Sequence, residues 1–133
     1  MKRSVLIVGN SIEKSDRMPV VLMPLLIREF PTIAFFLYDP TEELPEAVGD
    51  DLVLIDSVVG IGRVTVFEGL DEFLVSPRVS VHDYDLPVHL TLLLKLGKIK
   101  SVKIIGVPAK GKREKVLKEL RRVIPEIYKV VLY

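Results

Sequence analysis

Three side chains stand out as groups able to do chemistry: Asp16, Asp56 and His82. Asp56 closes the run Leu52-Val53-Leu54-Ile55, and a carboxylate ending so apolar a stretch must meet polar partners or its burial is costly. Its plainest use is structural, capping the following turn through Ser57 or nearby backbone N–H groups; the other is a place in a site. Asp16 ends the polar stretch Gly9-Asn10-Ser11-Ile12-Glu13-Lys14-Ser15-Asp16, which follows the first apolar run. His82 stands in the polar segment 75–86, read as an ordered loop carrying Ser80, His82, Asp83 and Asp85. A histidine so placed serves as ligand, as acid–base group or as a plain loop residue. Two carboxylates and a neutral imidazole suit a borderline divalent ion such as nickel or zinc. Their separations, 40 and 26 residues, match no compact metal motif. His89, inside Pro87-Val88-His89-Leu90-Thr91-Leu92, reads as a structural helix residue.

Other chemistries are poorly supported. The chain has no cysteine, which removes disulfides, zinc knuckles and thiol nucleophiles. Gly106 to Lys112 fits G-x-x-x-x-G-K, but Arg113 follows where a magnesium-binding hydroxyl is needed, and rigid Pro108 stands among the cradle residues. Gly60-Ile61-Gly62 lacks the third glycine of a dinucleotide fingerprint and leads into a strand. No G-x-S-x-G elbow occurs, and Ser11, Ser57 and Ser80 lack a nucleophile setting. The catalytic nucleophile is therefore unassigned.

In open parallel sheets, ligands bind outside the carboxyl ends of the strands, so these residues need strands to carry them there. Residues 4–8 form a first strand, apolar throughout as for burial on both faces. A helix is predicted over 18–30, with Pro24 as a kink or a late start. Strands follow at 32–38 and 52–56, and the alternating residues 63–67 read as a half-exposed edge strand. A helix over 87–96 opens on Pro87 and stops before Gly97. Residues 101–107 form a further parallel-type strand. The segment 111–123 is an amphipathic helix with Val116, Leu117, Leu120 and Val123 on one face. A last short strand is expected at 128–133. Alternating strands and helices specify an α/β fold, a three-layer sandwich on a mostly parallel sheet.

Composition sets the outer bounds. A length of 133 residues accommodates one domain, spanning 1–133. With 49% hydrophobic and 28% charged residues the chain is globular. A net charge of +1 lacks the basic excess of a dedicated nucleic-acid binder. No apolar run reaches the length of a membrane span, and the N-terminal run is too short for a signal-peptide core. A cytoplasmic protein is expected. Glutamine is absent and Asn10 is the only asparagine, a shortage of thermolabile side chains that resembles the thermophile pattern.

Four stretches, taken in order, resemble the hydrogenase-maturation protease family, endopeptidases that trim the large subunit of nickel–iron hydrogenases. Val5-Leu6-Ile7-Val8-Gly9-Asn10-Ser11 is similar to its opening strand and Gly-Asn turn, with Asp16 where the family has its first carboxylate. Leu52-Val53-Leu54-Ile55-Asp56-Ser57-Val58 resembles the strand ending in the second. Ser80-Val81-His82, followed by Leu86 and an apolar helix, resembles the histidine segment. Ile104-Ile105-Gly106-Val107-Pro108 is similar to the last strand. Lys14-Ser15-Asp16-Arg17 stands where the family carries a glycine-flanked acidic pair, and Asp39-Pro40-Thr41 where it has an acidic-Gly-Gly run.

The resemblance implies a three-layer α/β/α sandwich of phosphorylase/hydrolase-like type. Its five strands lie in the order 2-1-3-5-4, with strand four antiparallel. It also implies a peptidase that removes a C-terminal extension once nickel has been inserted in the hydrogenase large-subunit precursor. Asp16, Asp56 and His82 would contact that nickel, so the free protein need not hold a metal. Two other readings stay open: a non-catalytic metal- or partner-binding relative, and a small-molecule or nucleotide-binding α/β module of like fold. Oligomeric state is not legible.

Overall fold

The computed structural model describes residues 3–9, 17–39, 42–45, 48–74 and 85–128. In chain order the elements are β1 (Arg3–Val8), α1 (Arg17–Glu29), β2 (Ile33–Tyr38), β3 (Asp51–Val58), β4 (Thr65–Phe67), α2 (Leu70–Leu74), α3 (Asp85–Lys95), β5 (Ser101–Pro108) and α4 (Arg113–Ile127). The strands form one sheet in the order β2-β1-β3-β5-β4. All neighbours are parallel except β4, which runs antiparallel to β5. This is the order and orientation that the family resemblance implied.

The continuous apolar runs are explained by cover on both faces. Leu6, Val8, Leu52, Leu54 and Ile104 share one core layer with Phe73 of α2 and Leu86, Leu90 and Leu93 of α3. Val5, Ile7, Val53, Ile55, Ile105 and Val107 share the other with Leu22 and Leu26 of α1 and Leu117, Leu120 and Ile124 of α4. Leu22 and Leu26 are fully buried, and each such side chain contributes about 1.5–3 kcal/mol of apolar transfer.

Element ends depart from the expected ones for local reasons. The third strand does not stop at Asp56: Ser57 and Val58 stay in register with Val107 and Pro108 of β5. β4 is shorter than expected: pairing with β5 covers only Thr65, Val66 and Phe67, while the Val64 N–H donates to Glu119 Oε1 of α4 at 3.0 Å. α3 opens two residues before Pro87, whose missing N–H is harmless in a first turn. It closes at a left-handed Gly97 (φ 73°), where the Lys98 N–H reaches back to the Leu93 carbonyl at 3.0 Å. Gly111 is not helical, with φ 139°, and α4 begins only after an extended Lys112. That helix then continues past Val123 through Pro125, because buried Ile124 extends its apolar face. Helix α1 likewise runs through Pro24. Tyr128 forms the α4 C-cap; the remainder of the expected final strand lies outside the described residues.

Candidate functional site

Asp56 is placed by β3. Side chains alternate faces along a strand, so Asp56 falls on the face of Leu52, Leu54 and Val58, the face covered by α2 and α3. Strand register then defines a row across the carboxyl end of the sheet. Tyr38 pairs with Val8, and one step beyond the Ile7–Ile55 pair sets Val8 beside Asp56. Asp56 pairs with Gly106, which pairs in turn with Thr65. Asp56 is 2% exposed, and its Oδ1 accepts the Ser57 N–H at 2.9 Å. The expected contact with Ser57 is present, but within the strand and not as a turn cap, since β3 continues through Val58; the position is one where α/β sheets also build sites.

Gly106 forms the floor beside Asp56. A Cβ there would lie 2.8 Å from Phe67 Cε2 and 2.9 Å from Val58 Cγ2. Phe67 is braced in turn by an edge-to-face contact with Phe73, centroids 5.5 Å apart. The same geometry disposes of the phosphate-loop motif: Gly106, Val107 and Pro108 pair along β3 and form no cradle.

On the other side of Asp56, at about 10 Å between backbones across two strand spacings, the row ends on Tyr38. Sequence reasoning did not single this residue out; its one signal was its position as the last residue of an apolar strand. Its ring packs against that of His89 on α3, with centroids 6.1 Å apart and planes at 35°. The Tyr38 hydroxyl and His89 Nε2 are buried without a hydrogen-bond partner among the described residues. Burial first, then the charges of Asp39 and Glu42, push the Tyr38 phenol up to about 12. His89 has the structural place in a helix that its context suggested.

Asp16 and His82 lie outside the described residues, so of the expected triad only Asp56 is placed. Their chain neighbours are placed. α1 starts at Arg17 and returns the chain from the carboxyl end of β1 to the start of β2. α3 starts at Asp85 and delivers the chain to the start of β5. Both helices therefore open near the carboxyl end of the sheet. Among the described residues no three His, Cys, Asp or Glu side chains gather as a metal site, and no helix is long and apolar enough to cross a membrane.

No protein-family model matches the chain, and no curated protein matches it in sequence. Solved structures do. An uncharacterized protein from Wolinella succinogenes superposes with a TM-score of 0.55 at 22% identity, covering 88% of this chain and 79% of that one. The hydrogenase maturating endopeptidase HybD from E. coli superposes with a TM-score of 0.54 at 17% identity, covering 80% and 74%. At such identities the likeness speaks for architecture, and this chain shares the α/β/α fold of the HybD-like maturation endopeptidases.

Proposed function

We propose that this protein recognises a nickel-loaded hydrogenase large-subunit precursor and removes its C-terminal extension. The observation that carries this reading is a buried carboxylate, Asp56, at the carboxyl end of the central strand of a sheet ordered β2-β1-β3-β5-β4. The fold shared with a hydrogenase maturating endopeptidase supports it. In this reading the nickel belongs to the substrate. Asp16, Asp56 and His82 supply two carboxylates and an imidazole, a donor set suited to a borderline ion whose other ligands come from the precursor. The free chain then needs no metal of its own. Asp56 would meet the ion through the carboxylate whose Oδ1 is already oriented by the Ser57 N–H.

Incubation with nickel-loaded and nickel-free precursor, followed by mass measurement, tests the reading. Shortening of the loaded precursor alone is the expected result. The Asp56–Ser57 hydrogen bond also favours a second reading, in which the chain is a non-catalytic relative and this carboxylate serves the strand. In that case the loaded precursor forms a complex and keeps its full mass.

A further inference from the structure

Among the described residues β4 is an outer strand of the sheet, paired on one side with β5. The Val64 N–H points away from β5, since it donates to Glu119 Oε1 on α4. Backbone direction alternates along an antiparallel strand, which turns the N–H and carbonyl of Val66 outward as well. Between this edge and α4 lies an open groove of about 370 Å³. Val64, Val66 and Val123 line it, Glu119 stands within it, and Arg63 and Arg122 flank it. Both arginines are exposed, and neither forms an ion pair with a described carboxylate. Lys115 adds a third cation nearby, its Nζ 3.5 Å from the Gly62 carbonyl.

We propose that this edge docks an extended, acidic polypeptide segment as an added strand, its main chain pairing at Val66 and its carboxylates held by Arg63 and Arg122. Outward backbone groups give such a segment its hydrogen bonds, the valines receive alternate side chains, and the arginines select the charge. Glu119 already occupies the Val64 donor much as a peptide carbonyl would, which guards the edge against indiscriminate pairing. Because Thr65 pairs with Gly106 in the row of Asp56, a docked segment would reach the same end of the sheet as that carboxylate. The proposal concerns docking and stands whether or not the chain is a protease.

The test uses the full chain and a fluorescent peptide alternating valine and glutamate, with its valine–lysine counterpart. The acidic peptide should bind and the basic one should not. Arg63→Glu combined with Arg122→Glu should weaken binding by about tenfold or more, a loss of about 1.4 kcal/mol. Glu119→Gln, which keeps an acceptor and removes a like charge, should tighten it. Hydrogen exchange on the wild type should show the Val66 amide protected on binding, a measurement that needs no variant to fold. Failure of the acidic peptide to bind, or equal binding of a peptide N-methylated at alternate amides, would overturn the strand-addition proposal. So would competition by a single-stranded oligonucleotide at equal affinity, which would mark the surface as one for polyanions in general.

Discussion

Replacing Gly106 by alanine tests how tightly the floor beside Asp56 is built. The new Cβ would stand 2.8 Å from Phe67 Cε2, 2.9 Å from Val58 Cγ2 and 3.4 Å from the Thr65 carbonyl oxygen. Ordinary carbon–carbon contact is about 3.5–4.0 Å, so two neighbours on different strands must each retreat by about 0.6 Å or more. Neither has slack. Val58 is fully buried, and Phe67 is backed by the fully buried ring of Phe73. Overpacking of this kind costs about 1–3 kcal/mol, while removing a glycine from the unfolded chain returns about 0.4–1 kcal/mol. The net expectation is a destabilisation of about 1–2 kcal/mol. Unfolding entropy of about 2.1 cal/mol/K per residue, over 133 residues, converts that into a Tm lower by about 4–7 °C. Thermal unfolding followed by circular dichroism, paired with urea unfolding, measures it. Phe67→Leu in the Gly106→Ala background should recover part of the loss, since the two sites share one contact. An unchanged or raised Tm for Gly106→Ala would refute the steric argument.

Four further outcomes are expected. Tyr38→Phe removes a buried hydroxyl without a described partner, so urea unfolding should find it neutral or up to about 1 kcal/mol more stable; a comparable loss would mean that the hydroxyl has a partner. Of four tyrosines, Tyr38 and Tyr128 have phenols raised from 10.0 to about 12, chiefly by burial. In the folded state ultraviolet titration should therefore resolve late ionisation of at least these two phenols. Because the folded-state values lie above the unfolded ones, their contribution to stability is complete below pH 10 and is lost as pH rises towards 12; in Tyr38→Phe that alkaline loss should be smaller. Asp56→Ala should lower stability by about 1–3 kcal/mol in denaturant unfolding, because it removes a buried hydrogen bond between a carboxylate and the Ser57 N–H at 2.9 Å. His82→Ala should abolish cleavage of nickel-loaded precursor at unchanged Tm, and Asp16→Ala should do likewise; wild-type rates in either variant would remove that residue from the proposed site.

Much of the architecture was legible in the sequence, because it follows from local pattern. Runs such as Val5-Leu6-Ile7-Val8 and Leu52-Val53-Leu54-Ile55 are too uniformly apolar for a sheet with one wet face, and helical spacing of apolar residues on the intervening segments supplied the covering layers. Pro87 and Gly97 bracketed α3 to within about two residues, since each acts through its own backbone geometry. The carboxylate of Asp56 was conspicuous for the same reason: it interrupts an apolar run. Strand order was different. It came by resemblance to a known family, as local periodicity carries no information about which strand lies beside which.

Tertiary structure alone decided the relations between distant residues. That Tyr38, Val8, Asp56, Gly106 and Thr65 share one row is a matter of register across all five strands. No pattern of period two announces it, because sliding a strand by two residues preserves every face. The extension of β3 through Ser57 and Val58 depended on partners in β5 some fifty residues later. The contact of Glu119 of α4 with the Val64 N–H joins residues 55 positions apart. Gly106 looked in sequence like the first glycine of a phosphate loop; its requirement for glycine comes instead from Phe67 and Val58, which approach it from neighbouring strands. Local chemistry is written in the order of residues, whereas steric contact and register arise only once the chain has closed on itself.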